Sequence, residues 1–160
     1  MMPLATLTLP SGPLTVHRAQ AGDVPAIVGL LAEDGIAAGR ERADPAAYAA
    51  AFAAVDADPR QLLLVVRDGA GVAATMQVTF IPGLSRGGAL RAQLEAVRVA
   101  RRRRGAGLGT ALLGWVVEEC RRRGAALVQL TTDERRVQAR RFYERAGFVA
   151  SHVGMKLDLV

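Results

Sequence analysis

The segment Leu94–Thr110, LEAVRVARRRRGAGLGT, constrains this chain more than any other. An apolar strand runs into four consecutive arginines and three alternating glycines, and an amphipathic helix begins at Leu108. Glycine lets backbone N–H groups approach a ligand closely. A helix N-terminus adds exposed donors and a partial positive charge. Arginine adds a bidentate fork for phosphate oxygens. Together they point to a diphosphate-bearing ligand.

At 160 residues and 51% apolar composition, the chain suits one ordered domain, taken as 1–160 with its core over about 14–159. Charge is uneven. Residues 1–80 hold 5 basic and 8 acidic side chains, residues 81–160 hold 16 and 7, so the basic character belongs to the half with the glycine loop. Cys120 is the single cysteine and excludes an internal disulfide. It falls on the apolar face of the helix from Leu108, as a buried thiol would. His17 and His152 have no partner at metal-ligand spacing, so no metal is expected. No apolar run approaches a membrane span, and no signal peptide is read at the start, so the expectation is a cytoplasmic protein.

Alternation predicts a first strand at Leu14–Arg18. Asp23 before Pro25 predicts a helix start, with Ile27, Leu30 and Leu31 inward and Gly35 and Gly39 interrupting. Asp44-Pro45 predicts a second helix, whose Tyr48, Phe52 and Val55 stripe reads as core. Strands follow at Gln61–Arg67, Val72–Phe80 and Arg91–Ala100, the first two joined by the turn Asp68-Gly-Ala-Gly71. The helix from Leu108 carries Leu112, Trp115, Val116 and Cys120 inward. It ends at Arg121-Arg-Arg-Gly124, cations that offset its dipole and a glycine that closes it. A strand at Ala125–Thr131 and a helix at Val137–Ala146 come next. Phe148–Val153 and Met155–Leu159 read as a final strand pair or one bent strand. The result is a mixed α/β, α+β-like domain.

Three chemistries compete for the glycine loop. A nucleotide P-loop needs lysine and a hydroxyl residue after its last glycine, and Gly109 is followed by Thr110-Ala111. A dinucleotide fold needs G-x-G-x-x-G, but Thr110 replaces the third glycine. Only 27 residues remain after Asp133, too few for a second half-sheet. The third is Arg104-x-x-Gly107-x-Gly109 between strand and helix. With it, the sequence resembles the GNAT superfamily of N-acetyltransferases. A second block, Ala139-Arg-Arg-Phe142-Tyr143-Glu-Arg-Ala-Gly147-Phe148, looks like that family's A-x-x-F/L-Y-E-x-x-G-F.

The resemblance implies the GNAT acyl-CoA N-acyltransferase fold, a central mixed sheet of six to seven strands flanked by about four helices. It implies acetyl-CoA as cosubstrate. Val97, Arg98 and Val99 match the strand that pairs with the pantetheine arm, in the manner of β-augmentation. Arg104, Gly105, Ala106, Gly107, Leu108, Gly109 and Thr110 match the pyrophosphate loop. Arg101, Arg102 and Arg103 either are solvated or touch the adenosine 3′-phosphate, with at least two expected to be solvated.

Tyr143 stands where the family carries the tyrosine facing the CoA sulfur, and is the general-acid candidate. Its other reading is a core tyrosine. Glu95, two residues before Val97, is the candidate base, or else a rim charge paired to an arginine. Many family members carry Asn three residues before the motif alanine, where this chain has Arg136, and either Arg136 or Asp133 fills that space. The acceptor is an unspecified small-molecule or peptide amine. Glu33, Asp34, Glu41 and Asp44 either attract a cationic amine or are solvated. Phe80-Ile-Pro-Gly-Leu84 is read as apolar wall, and His152 as either pocket edge or exposed strand residue. The alternatives are a non-catalytic acyl-CoA-binding module and a basic nucleic-acid-binding protein; the second lacks aromatic residues outside core or site positions. Homodimers are common in the family, and no residue here specifies one.

Overall fold

Period-2 alternation punctuated by tight turns builds the sheet. A computed structural model describes residues 2–33, 41 and 44–159. The strands are β1 (Ala5–Leu9), β2 (Gly12–Arg18), β3 (Gln61–Asp68), β4 (Gly71–Ile81), β5 (Arg91–Val99) and β6 (Leu127–Leu130). They lie side by side in chain order, antiparallel from β1 to β5, with β6 parallel to β5. The helices are α1 (Val24–Ala32), α2 (Pro45–Ala57), α3 (Ser85–Gly88), α4 (Leu108–Arg122) and α5 (Val137–Arg145). Only the β5–β6 connection needs a crossover, and α4 supplies it.

The two faces of the sheet are covered differently. Leu62, Leu64 and Val66 of β3, Met76, Val78 and Phe80 of β4, and Ala92 and Leu94 of β5 point to one face. They pack there against Leu108, Leu112, Leu113, Val116 and Cys120 of α4. On the other face a smaller cluster joins Ala19, Ile27 and Val65, with Leu31, Phe52, Leu63 and Val72 against it. Burial pushes the Cys120 thiol up to about 11, so it stays protonated in the core.

The hairpin turn at Asp68 is present, with Asp68 paired to Gly71 and its carboxylate accepting the Ala70 N–H at 2.9 Å. Asp44 caps α2 through Ala46 N–H at 3.0 Å. Gly124 takes a left-handed φ of 81° after α4, and the Ala125 N–H returns to the Cys120 carbonyl at 3.0 Å.

Several expectations are corrected. The sheet begins with β1, whose Leu7 and Leu9 are buried. The alternation Thr6-Leu7-Thr8-Leu9 before Pro10-Ser11-Gly12 was its signal. Residues 148–159 form no strand, although their apolar residues alternate. Phe148 is drawn back by its N–H to the Tyr143 carbonyl at 3.0 Å, and Val149, Val153, Met155, Leu157 and Leu159 stay exposed. Alternation makes a strand only where a neighbouring edge takes its hydrogen bonds. Asp23 precedes α1 but does not cap it. Its carboxylate accepts the Gln20 N–H at 2.9 Å and pairs with Arg67 at 2.8 Å. In the α2 stripe, Phe52 packs on the smaller cluster, whereas the Tyr48 hydroxyl donates to Glu41 at 2.7 Å. Gly35, Gly39 and Asp34 lie outside the described residues.

Candidate active site at the split between β5 and β6

The site begins with a phase slip in β5. Ala92 and Leu94 face α4, and so do Val97 and Val99. Strict alternation cannot place both pairs on one face. Ala96 is the extra residue, at φ 51°, and the β4–β5 register shifts at that point. A non-glycine residue in the left-handed region costs on the order of 1–2 kcal/mol. The bulge has two results. It returns Val97 and Val99 to the core, and it puts Glu95 and Arg98 on the opposite face. The slip from even to odd apolar positions was visible in the sequence and was missed.

β5 and β6 then part. Their parallel ladder covers only Arg91–Leu94 against Leu127–Leu130. Beyond Leu94, β5 pairs with β4 alone among the described residues, so the edge at Val97–Val99 faces a cleft. This is the edge that the family resemblance matches to an added extended ligand.

The glycine loop closes one end of the cleft. Gly107 sits at the N-cap of α4 with φ 82° and gives no side-chain cap. The first helical bond runs from Ala111 N–H to the Gly107 carbonyl at 3.0 Å, so the N–H groups of Leu108, Gly109 and Thr110 have no acceptor within the helix. Gly109 serves a different need. A Cβ there would lie 3.6 Å from the Phe142 ring and from Val99, which sets the first turn of α4 close to α5 and β5.

The arginines before the loop are tied to protein. Arg102 and Arg103 reach Asp68 at 3.1 and 2.7 Å, and the Asp68 side chain is 2% exposed. Burial alone would raise the Asp68 pKa; hydrogen bonds from Arg103 and Arg102 outweigh it and bring the carboxyl down to about 2. Arg101 donates its backbone N–H to Glu33 Oε2 at 3.3 Å and its guanidinium to the Glu33 carbonyl at 3.2 Å. Arg101 and Arg102 are exposed, as expected of at least two of these three, and a buried carboxylate and the end of α1 also hold them. Arg104 braces on the Val99 carbonyl through Nε at 2.9 Å and approaches Glu33 Oε2 at 3.4 Å.

Tyr143 projects from α5 into the cluster that holds Val97 and Val99. Its ring packs edge-on against Phe142 and Phe148, with centroids 5.1 and 5.7 Å away. Burial raises its pKa, with Arg98 and Arg136 pulling the other way. Glu95 is exposed on the opposite face of the same strand. Arg136 precedes α5, and Asp133 is engaged by Arg135 at 2.6 Å. Phe80 is buried on the α4 face, with the Arg123 guanidinium 4.9 Å from its ring centroid. It is therefore not acceptor wall, and Leu84 is exposed. His152 is exposed in the C-terminal segment beside Ser151. No helix among the described residues is long and apolar enough to cross a membrane.

Comparison with known proteins agrees with this fold. A transcriptional regulator from Bacillus halodurans C-125 has a structure that matches with TM-score 0.87 and 40% identity, covering 91% of this chain and 99% of that one. A predicted acetyltransferase from Clostridium acetobutylicum, solved with acetyl-CoA, shares the fold at TM-score 0.73 and 19% identity, over 91% of this chain and 96% of that one. An aminoalkylphosphonate N-acetyltransferase of Salmonella typhimurium is 47% identical over 49 residues. That match covers 31% of this chain and only 32% of the relative. Residues 26–148 match the Acetyltransferase (GNAT) family, and the chain belongs to that family.

Proposed function

We propose that the protein moves an acetyl group from acetyl-CoA directly to a primary amine. The observation that carries this is the cleft where β5 leaves β6. It offers at Val97–Val99 a strand edge paired with no further strand among the described residues, where the Val97 and Val99 carbonyls accept from the Arg98 and Arg104 side chains, and it ends at an uncapped helix N-terminus beside Arg104. An extended amide-bearing arm fits the first part, and a diphosphate fits the second. Gly105 to Thr110 supply the backbone donors, and Arg104 supplies the charge.

Glu95 and Tyr143 approach the β5 edge from opposite faces of the sheet. In this reading Glu95 takes a proton from the ammonium form of the acceptor, directly or through water. The neutral nitrogen then attacks the thioester carbonyl, whose oxygen gains charge near the Val97 N–H. The C–N bond forms, the C–S bond breaks, the Tyr143 hydroxyl protonates the departing thiolate, and the second proton released by the new amide nitrogen returns to the Tyr143 oxygen, directly or through water. Burial holds Tyr143 in its protonated form, the form an acid needs. No covalent enzyme intermediate is required.

The test is calorimetric titration with acetyl-CoA at physiological ionic strength, followed by an amine panel. One-to-one binding that is lost in Arg104→Glu, with acetylated product from the panel, supports the proposal. Folded protein that does not bind acetyl-CoA overturns it. Binding without product on any amine would favour the acyl-CoA-binding module instead.

A further inference from the structure

The face of the sheet opposite α4 carries a polar row. Register places Gln61 opposite Thr79, Thr79 opposite Gln93, and Gln93 opposite Gln129. These four lie side by side on four adjacent strands, a row roughly 14 Å long at the usual strand spacing. One step along, Gln77 lies opposite Glu95. The apolar contacts of α1 and α2 end at Leu63, Val65 and Val72, so the row continues that face beyond them as half-buried amide and hydroxyl groups.

The row is cross-linked in a way that orients it. Gln77 Nε2 and Thr79 Oγ1 both donate to Gln61 Oε1, at 3.0 and 2.9 Å. Gln129 Nε2 donates to Gln93 Oε1 at 2.8 Å. Among the described side-chain bonds, this leaves Gln77 Oε1 and Gln129 Oε1 to accept, and the amide nitrogens of Gln61 and Gln93 to donate. Both donors and acceptors remain along a line that passes Glu95. A hydroxyl, which both gives and takes a hydrogen bond, is the complement of such a line. An alkyl chain would leave these polar groups desolvated and unpaired.

We infer that this row reads the acceptor, and that the acceptor is a hydrophilic primary amine whose carbon frame bears hydroxyl groups, held with its amine at Glu95. The inference rests on the acetyl-transfer reading above and narrows it. The row selects by unpaired-group penalty, which rejects a ligand lacking the expected hydroxyls more strongly than apolar contact can.

The experiment uses matched amines on the full chain: 2-amino-1,3-propanediol against isopropylamine, and glucosamine against cyclohexylamine. Each kcat/KM is expressed per neutral amine. The hydroxylated member of each pair is expected to be at least tenfold better. In the Gln93→Leu/Gln129→Leu double variant that ratio falls about tenfold, and acetyl-CoA affinity is retained. Thr79→Val, nearly isosteric, lowers the ratio in the same direction and guards against a folding defect in the double variant. Equal rates within the pairs, a ratio unmoved by these variants, preference for an amine bearing a carboxylate or phosphonate, or no turnover of any hydroxylated amine by acetyl-CoA-binding protein would each overturn the inference. Loss of acetyl-CoA binding by the wild-type chain would instead overturn the acetyl-transfer reading itself.

Discussion

Arg104 spans from the Val99 carbonyl, 2.9 Å from its Nε, to Glu33 Oε2, 3.4 Å from its terminal nitrogen. The proposed phosphate arginine therefore already faces a carboxylate from the last turn of α1. The pair is partly exposed, with Arg104 at 49% and Glu33 at 33%, so its own worth is at most about 1 kcal/mol. Its effect on a dianionic ligand is competitive. Glu33→Gln is expected to tighten acetyl-CoA binding by about two- to fivefold at low salt, and by less as salt screens the charge. Calorimetric titration at two ionic strengths checks this. Weaker binding would mean that Glu33 serves to hold Arg104 in place.

Asp68 links the β3–β4 turn to the arginines before the glycine loop. Asp68→Asn is expected to cost about 1–3 kcal/mol, read as a lowered Tm in thermal denaturation. The pH dependence follows from the lowered native pKa. The stabilisation is fully present above the ordinary carboxyl pKa of 3.8 and is lost as pH falls toward about 2. The Asn variant lacks that part of the acid-induced loss, so the gap in stability between the two proteins narrows below about pH 4.

The two loop glycines separate by cause. Gly107 needs its φ of 82°, so Gly107→Ala is expected to destabilise by about 1–2 kcal/mol and to weaken acetyl-CoA binding. Gly109 needs only room, and a methyl group would sit at ordinary contact distance from Phe142 and Val99. Gly109→Ala is therefore expected to leave binding intact and to stabilise α4 by up to about 1 kcal/mol. Denaturation and titration of the two variants side by side give the comparison. Equal losses would show that contact, and not backbone conformation, sets both positions.

Tyr143→Phe removes one oxygen from a ring already packed against Phe142 and Phe148. Acetyl-CoA affinity should persist, while kcat falls by about 100-fold or more if the hydroxyl is the acid. Because burial raises its pKa, the acid form persists past the ordinary tyrosine range of about 10. Tyr143 is thus expected to add no alkaline limb to the pH–rate profile below that range. Wild-type turnover in the variant would remove the role.

Ala96 stores backbone strain at the bulge, at φ 51°. Ala96→Gly should relieve about 1 kcal/mol. Ala96→Val should destabilise and disturb the Val97–Val99 edge, lowering acetyl-CoA affinity. Urea denaturation and titration measure both, and a tolerated valine would count against the bulge as a fixed feature of the cleft.

Much of this was legible in the chain. The Asp68–Gly71 turn, the Asp44 cap, the inward stripe of α4 and its Gly124 stop are local matters, set by turn chemistry, capping and helical period over a few residues. The two sequence blocks carried the family. Other features depended on partners distant in sequence. Asp68 and Arg103 are 35 positions apart, and Arg104 and Glu33 are 71 apart; no local pattern pairs them. The failure of the C-terminal alternation to become a strand was equally non-local, because a strand requires an edge to receive it. The amide row exists only through register, since Gln61, Thr79, Gln93 and Gln129 stand singly in four separate strands. The sequence by itself determined most of the elements and the glycine turn that opens α4, because propensity and backbone freedom act locally. Tertiary structure alone decided which arginines are held by protein, where β5 opens, and which polar side chains share a face, because those follow from long-range pairing and from what burial leaves uncovered.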